Sequence, residues 1–350
     1  MKRFLIITLT VMAALAMLAA CSPPQPEATP APTSAPVSTP EPTPEPTPEP
    51  MPVPTPTPEP VPLSYTTGLP YDGYYRPVMA VIENSAKARP QTGLQMADVV
   101  YEVPVEGGIT RFVCVFSDNL PDGIMPVRSG RVPFLFIQHE WDAVFMHYGG
   151  SGSGGNAGAA DFYRHDLHDE IKVDVDGLKG KWDDYFVRVK GKSAPHNVYG
   201  DVKNAQLLYD YEPKPLPWVF GDTAYGGDMV TDIALPMASG ESDYVTYAYD
   251  TASDAYLRSM GGKPFKAAET DAQVSVKNII VQYSTYKTSS GVKLWKLTGG
   301  GDADFYIGGK LVKGKWERAS EDDPTMFYDA QGQQIVLRPG NTWIHIHPVL

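Results

Sequence analysis

Hydrophobic and polar positions change character twice along the chain. An apolar run, Phe4 to Met17, interrupted only by Thr8 and Thr10, follows Lys2 and Arg3, and small residues then lead into Cys21. A basic start, a short apolar centre and small residues before a cleavage point are the parts of a secretory signal. Over residues 22–62 the apolar periodicity disappears and Thr-Pro-Glu-Pro units repeat, as in Thr43-Pro44-Glu45-Pro46. From about Tyr65 onward, short runs alternate apolar and polar residues and are punctuated by glycine and proline, the signature of strands and turns.

The clearest pair of strands flanks Gly107-Gly108, with β-branched and aromatic residues on both sides. A two-residue loop there would set Glu106 opposite Ile109, Pro104 opposite Arg111 and Glu102 opposite Val113. Val99, Tyr101, Val103 and Val105 would then share an apolar face with Thr110, Phe112, Cys114 and Phe116. Asp98, Glu102, Glu106 and Arg111 would share the other. Val144–Tyr148 reads as a further strand, and Asp201–Tyr211 as a short helix before Pro213, Pro215 and Pro217. Later strands are expected at Tyr244–Tyr249, Asn278–Tyr286, Val292–Leu297, Asp304–Ile307, Ile335–Leu337 and Thr342–Ile346. Turns are expected at Gly299-Gly300-Gly301, Gly308-Gly309 and Pro339-Gly340-Asn341.

The pattern predicts an α/β or α+β mixed-sheet N-terminal domain over 65–225, then a smaller mainly-β domain over 240–350. The join falls between 213 and 240. A signal peptide, 1–20, and a disordered linker, 21–64, precede them. Cleavage before Cys21 would free its thiol for lipid attachment, placing the chain on the outer face of the cell membrane. Proline-rich chain favours polyproline II at ~3.1 Å per residue, so the linker is a spacer reaching up to ~125 Å. No second apolar stretch approaches the length of a membrane span.

Charge narrows the partners. The chain has 29 basic and 41 acidic residues, and loss of Lys2 and Arg3 with the signal leaves a net charge of about −14. Such a chain is repelled by anionic polymers and is a poor candidate for nucleic acid. An anion would have to be met by a local basic cluster. Arg89, Arg111, Arg128 and Arg131 offer one, because guanidinium groups present a fixed fork of donors to phosphate or carboxylate. Ser129, Gly150 and Ser151 could add hydroxyl and backbone donors. Asp98, Glu102 and Glu106 could act as bases or metal ligands, or could simply neutralise the arginines; both readings stay open. His196, in Ala194-Pro195-His196-Asn197, is an acid–base candidate.

Several chemistries are disfavoured. Glu102 and Glu106 on one strand lie ~13 Å apart at ~3.3 Å per residue, too far for a glycosidase pair at ~5–9.5 Å. The glycine-rich loop after His147 lacks the Lys-Ser or Lys-Thr of a nucleotide-binding loop. His165, Asp166, His168 and Asp169 lack a third fixed ligand, so no metal is expected, and no cofactor follows from the sequence. Cys114 reads as core, and His345 and His347 as the exposed face of the last strand.

These residues resemble a known family. Pro77–Asn84, Ala88–Leu94, Ala97–Glu102, Glu106–Arg111, Pro126–Arg131 and Pro195-His196-Asn197 are similar to the YerB-like lipoproteins of Gram-positive bacteria, as are Gly314-Lys315-Trp316 and Pro339–Ile344. The resemblance spans nearly all of 65–350 and implies a cell-envelope lipoprotein built of two domains of unknown function. A remoter likeness is to the LytR-CpsA-Psr family, which transfers polymers from polyprenyl pyrophosphate to the wall. Asp98, Arg128 and Gly149-Gly150 would match, but Pro-Val-Arg-Ser stands where that family has Pro-Arg-Asp. The expected function is binding of an anionic wall or lipid-linked ligand. The alternatives are an enzyme acting on phosphorylated wall precursors and a scaffold presenting its β domain to another protein.

Overall fold

The computed structural model describes residues 61–152, 158–227, 229–237 and 244–349. The expectations for the signal, Cys21 and most of the linker lie outside the described residues. In the first part of the chain the strands of the main sheet are β1 (Val78–Glu83), β2 (Val99–Pro104), β3 (Thr110–Phe116), β4 (Val144–His147) and β5 (Asp174–Asp176). Helix α1 (Val132–Trp141) sits between β3 and β4, and the one-turn α2 (Asp166–Asp169) precedes β5. Pro133 falls in the first turn of α1, where its missing N–H has no helical partner to lose.

The second part is built of strands: β6 (Asp232–Leu235), β7 (Val245–Asp250), β8 (Ala255–Met260), β9 (Asn278–Ser284), β10 (Tyr286–Ser289), β11 (Val292–Trp295), β12 (Gly299–Ile307), β13 (Lys310–Arg318), β14 (Met326–Asp329) and β15 (Thr342–Pro348). Five of these strands extend the first part's sheet. One mixed ten-stranded sheet runs β14-β13-β12-β9-β15-β2-β3-β1-β4-β5. Strand β15 lies parallel to both neighbours, with Tyr101 opposite Ile344 on one side and Ile280 opposite it on the other.

A smaller sheet of β6, β7 and β8, with short edge strands, covers one face of the large sheet. Tyr247, Tyr256 and Phe265 of that layer pack with Phe112, Cys114 and Trp343. On the other face, Phe134, Leu135 and Trp141 of α1 pack with Val81, Val113, Phe145 and Ile344. Both faces of β1, β2 and β3 are therefore buried, and no solvated face exists there.

Three expectations need correction. The hairpin register is shifted by one: Glu102 pairs with Phe112, Val103 with Arg111 and Pro104 with Thr110. Glu106, Gly107 and Gly108 together form the turn, with φ of 74° and 71° at the glycines, so three residues close it rather than two. A one-residue shift turns side chains to the opposite face, and it separates Glu102 from Arg111. Gly299-Gly300-Gly301 opens strand β12 instead of forming a turn. His345 and His347 are buried at 0 % and 4 % exposure, and the face that His345 occupies is covered by the smaller sheet, whose Tyr247 Oη lies 2.9 Å from its Nε2.

Candidate functional site

Polar groups gather where β1 ends, β3 begins and the β2–β3 turn folds over. Glu83 closes β1 directly opposite Arg111 of β3. The Pro126–Gly130 segment crosses this end of the sheet, held by Glu83 N–H to Pro126 O (3.0 Å) and Arg128 N–H to Val81 O (2.9 Å). Two carboxylates anchor the cluster. Glu83 Oε2 lies 3.3 Å from Arg128 Nε and 2.9 Å from His196 Nδ1, while its Oε1 accepts from Ser85 Oγ at 2.7 Å. Glu106 accepts from Arg131 Nε at both oxygens, 3.1 and 3.0 Å, is also reached by Arg131 Nη2, and lies 3.5 Å from Arg111 Nη2.

Arg111 is 4 % exposed. Its Nη1 donates to the Ser129 carbonyl at 2.7 Å, but its Nε has no hydrogen-bond acceptor. Burial and the neighbouring Arg131 push its guanidinium down to about 9, with Arg128 adding to the push. A guanidinium stays charged at neutral pH, so Arg111 is a nearly buried positive charge. Three guanidinium groups face two carboxylates. Burial would raise the Glu106 carboxyl, yet Arg131 and then Arg111 hold it at about 2.

The glycine loop runs alongside. Gly130 N–H donates to Gly149 O (2.8 Å), Ser151 N–H to Gly130 O (3.2 Å), and Ser129 Oγ to Tyr148 O (2.9 Å). Gly149 has φ of 76° and donates its N–H to Asp176 Oδ1 at 2.8 Å. His147 backs it, with Nδ1 2.9 Å from Gly149 O and Nε2 2.7 Å from Asp174. Ser151 Oγ is turned to Ala160 O (2.8 Å), so the hydroxyl expected to contact a ligand serves the loop instead.

The fold thus brings Arg111, Arg128, Arg131, Ser129, Glu106 and His196 together and adds Glu83, which closes an apolar run and was missed. The abrupt Glu83-Asn84 after Val78–Ile82 was the available signal. Asp98 is at the far end of β2, where it accepts from Ser117 N–H (2.7 Å), Asp118 N–H (2.9 Å) and Thr66 Oγ1 (3.1 Å). Burial and Asp118 raise its carboxyl to about 7. Arg89 turns back on Asn84, donating to its carbonyl at 2.7 Å, and lines a cleft of about 470 Å³ with Met260 and Phe265.

Glu102 belongs to a second, fully buried network on the opposite face. It lies 2.9 Å from Arg258 Nη2 and 3.2 Å from His345 Nδ1, and it accepts from Thr110 Oγ1 (2.7 Å) and Asn84 Nδ2 (3.2 Å). Arg258 is ringed by Phe112, Tyr247, Phe265 and Trp343 at 4.8–5.6 Å and donates to Tyr247 Oη at 2.6 Å. Burial would raise the Glu102 carboxyl, but Arg258 and His345 hold it at about 2. No sequence signal marked Arg258, because an arginine between Leu257 and Ser259 reads as surface.

His165 caps α2, and His168 Nε2 faces Asp174 at 3.5 Å, so that histidine pair is tied to the support of the glycine loop. Elsewhere, His139 lies between Asp322 (2.8 Å) and Glu170 (3.6 Å), one on each ring nitrogen, as in ordinary surface ion pairs.

Residues 66–212 match the family model described as "Protein of unknown function (DUF3048) N-terminal domain", and residues 233–344 match its C-terminal domain. A Bacillus subtilis (strain 168) protein named "Putative lipoprotein YerB" is 29% identical over 287 residues, covering 79% of this chain and 82% of its own. The crystal structure of YerB from Bacillus subtilis superposes with a TM-score of 0.68 at 27% identity, covering 81% of this chain and 96% of that one. The chain belongs to the YerB-like family, with both of that family's DUF3048 domains in order.

Proposed function

We propose that this chain is a lipid-anchored extracytoplasmic protein that binds an anionic group of the cell envelope, phosphate or carboxylate, through Arg111, Arg128 and Arg131. One observation carries the reading: a nearly buried Arg111 keeps an unbonded Nε within a cluster of three guanidinium groups and two carboxylates. A bound anion would accept that N–H and balance the excess charge. Arg128 is the contact most open to solvent, with 23 % of its side chain exposed. The membrane anchor rests on the signal-like segment before Cys21 and on the name of the related Bacillus protein.

The test is thermal unfolding with and without inorganic phosphate, pyrophosphate and succinate, against equal ionic strength of chloride. A ligand that binds only the folded state raises the melting temperature, by about 2.7 kcal/mol of stability at a hundredfold excess over Kd. Arg128→Ala should abolish the phosphate response while leaving Glu83 its His196 partner. Absence of any phosphate- or carboxylate-specific shift in the parent protein sinks the reading. A second reading, acid–base catalysis at the bound anion, is favoured by the Glu83–His196 pair beside the arginines. Its signature would be release of phosphate that His196→Gln stops.

A further inference from the structure

We infer that the anion held by the arginines is attached to a sugar ring, which stacks on Tyr286 in the neighbouring cleft. This rests on the anion-binding reading above. The cleft has a volume of about 200 Å³ and is lined by Pro104, Gly108, Ile109, Tyr286, Lys293 and Trp295 among others. That is smaller than the ~300–1,000 Å³ of a site for a drug-sized molecule, and suits one ring.

The cleft and the arginine cluster share a wall. Gly108 and Ile109 belong to the turn that carries Glu106, the carboxylate between Arg111 and Arg131. Strand β11, which carries Lys293 and Trp295, packs against helix α1, whose N-cap is Arg131. A ligand with its charged group on the arginines would therefore extend its adjoining part over this turn.

The lining specifies that part. Tyr286 is 43% exposed and braced by the buried Trp295, with ring centroids 4.7 Å apart. Trp295 is fixed in turn, donating its Nε1–H to Pro104 O at 2.9 Å. Tyr286 is thus a braced, part-exposed aromatic surface, the kind of surface against which the C–H face of a pyranose packs. Lys293 holds its Nζ 5.2 Å from the Tyr286 ring centre, with no carboxylate or hydrogen-bond acceptor among the described residues. Burial pushes its ammonium down. A purely aliphatic group would bury that ammonium further without an acceptor, which is unfavourable. A ring edged with hydroxyl oxygens would supply acceptors. Apolar floor, single cation and one-ring volume together select a sugar phosphate over an alkyl phosphate.

The experiment is calorimetric titration of the whole chain with inorganic phosphate, glucose 1-phosphate and n-butyl phosphate. Glucose 1-phosphate should bind at least about tenfold more tightly than either of the others. Tyr286→Ala and, separately, Lys293→Met should bring the sugar and inorganic phosphates to within about twofold of each other. Equal binding of the three by the parent, tighter binding of the butyl ester, or a preference that survives both substitutions would overturn the sugar assignment and leave the anion site standing. No binding of any phosphate would overturn the sugar assignment, and no response to succinate in the melts besides would overturn the anion site too.

Discussion

Glu102 and Arg111 are one register step from sharing a face, and that step gives them opposite roles. Arg111 belongs to a cluster of three guanidinium groups and two carboxylates at the end of the sheet, whereas Glu102 is enclosed with Arg258 and His345. Removing one partner of a buried pair leaves the other stranded, so Glu102→Gln or Arg258→Met alone should cost ~3–5 kcal/mol. The double change Glu102→Leu with Arg258→Met should be far milder, since an apolar pair of similar volume needs no desolvation. Urea denaturation of the three variants measures this, and a double variant as unstable as the singles would contradict it. The pH sign follows from the depressed carboxyl. Its folded value of about 2 lies below the ordinary 4.5, so its stabilisation is full above the ordinary value and fades as pH falls toward 2. The parent should lose stability between pH 5 and 2 more steeply than the double variant. Arg111, Arg128 and Arg131 were legible in the sequence because they lie within about twenty residues of one another, whereas Arg89 lies apart from them at Asn84. Glu83 and Lys293 were not legible, and neither was the pairing of Glu83 with His196, because only the fold brings positions so far apart in sequence together.

At the scale of elements, the β2–β3 hairpin shows what pattern alone leaves undetermined. Alternation and the glycine pair marked the strands correctly, but the loop length decides which residues face which. Both glycines have positive φ, and the extra loop residue shifts the whole strand. Burial on both faces removed the usual cue, since neither register would expose an apolar row. Gly107 is the informative position, because a Cβ there would meet nothing within 4 Å and only the backbone conformation resists substitution. Gly107→Ala should therefore destabilise by ~1–2 kcal/mol, and Gly107→Asn by less, as read from denaturant midpoints. Equal stability of all three would mean that the turn tolerates a different geometry. Strand β13 escaped the sequence reading for another reason. Lys313, Lys315 and Glu317 alternate outward while Trp316 and Arg318 turn in, so a charged surface row concealed the inward one.

At the scale of the whole molecule, the proposed anchor and the sheet make separate demands. Fractionation checks the first: Cys21→Ala should move the protein from membranes to the soluble phase, since acyl chains supply the affinity that the acidic body lacks. Retention in the membrane fraction would contradict lipid attachment. The mixed sheet and the strand-built second half were readable from short alternating runs. The joining of both halves in one sheet was not, because pairing between distant strands leaves no local trace. Strand β15 lies between β2 and β9 and hydrogen-bonds to both. It arrives ~240 residues behind β2 in the chain, a separation that slows folding. For a polypeptide threaded out of the cell from its N-terminus, β2 waits with a bare edge until nearly all of the remainder has emerged. Bare edges invite pairing with the wrong strand. A stalled or prematurely ended chain would thus be prey to proteolysis and self-association, and the export proposed above would call for a holding chaperone more than the final stability of the fold would suggest.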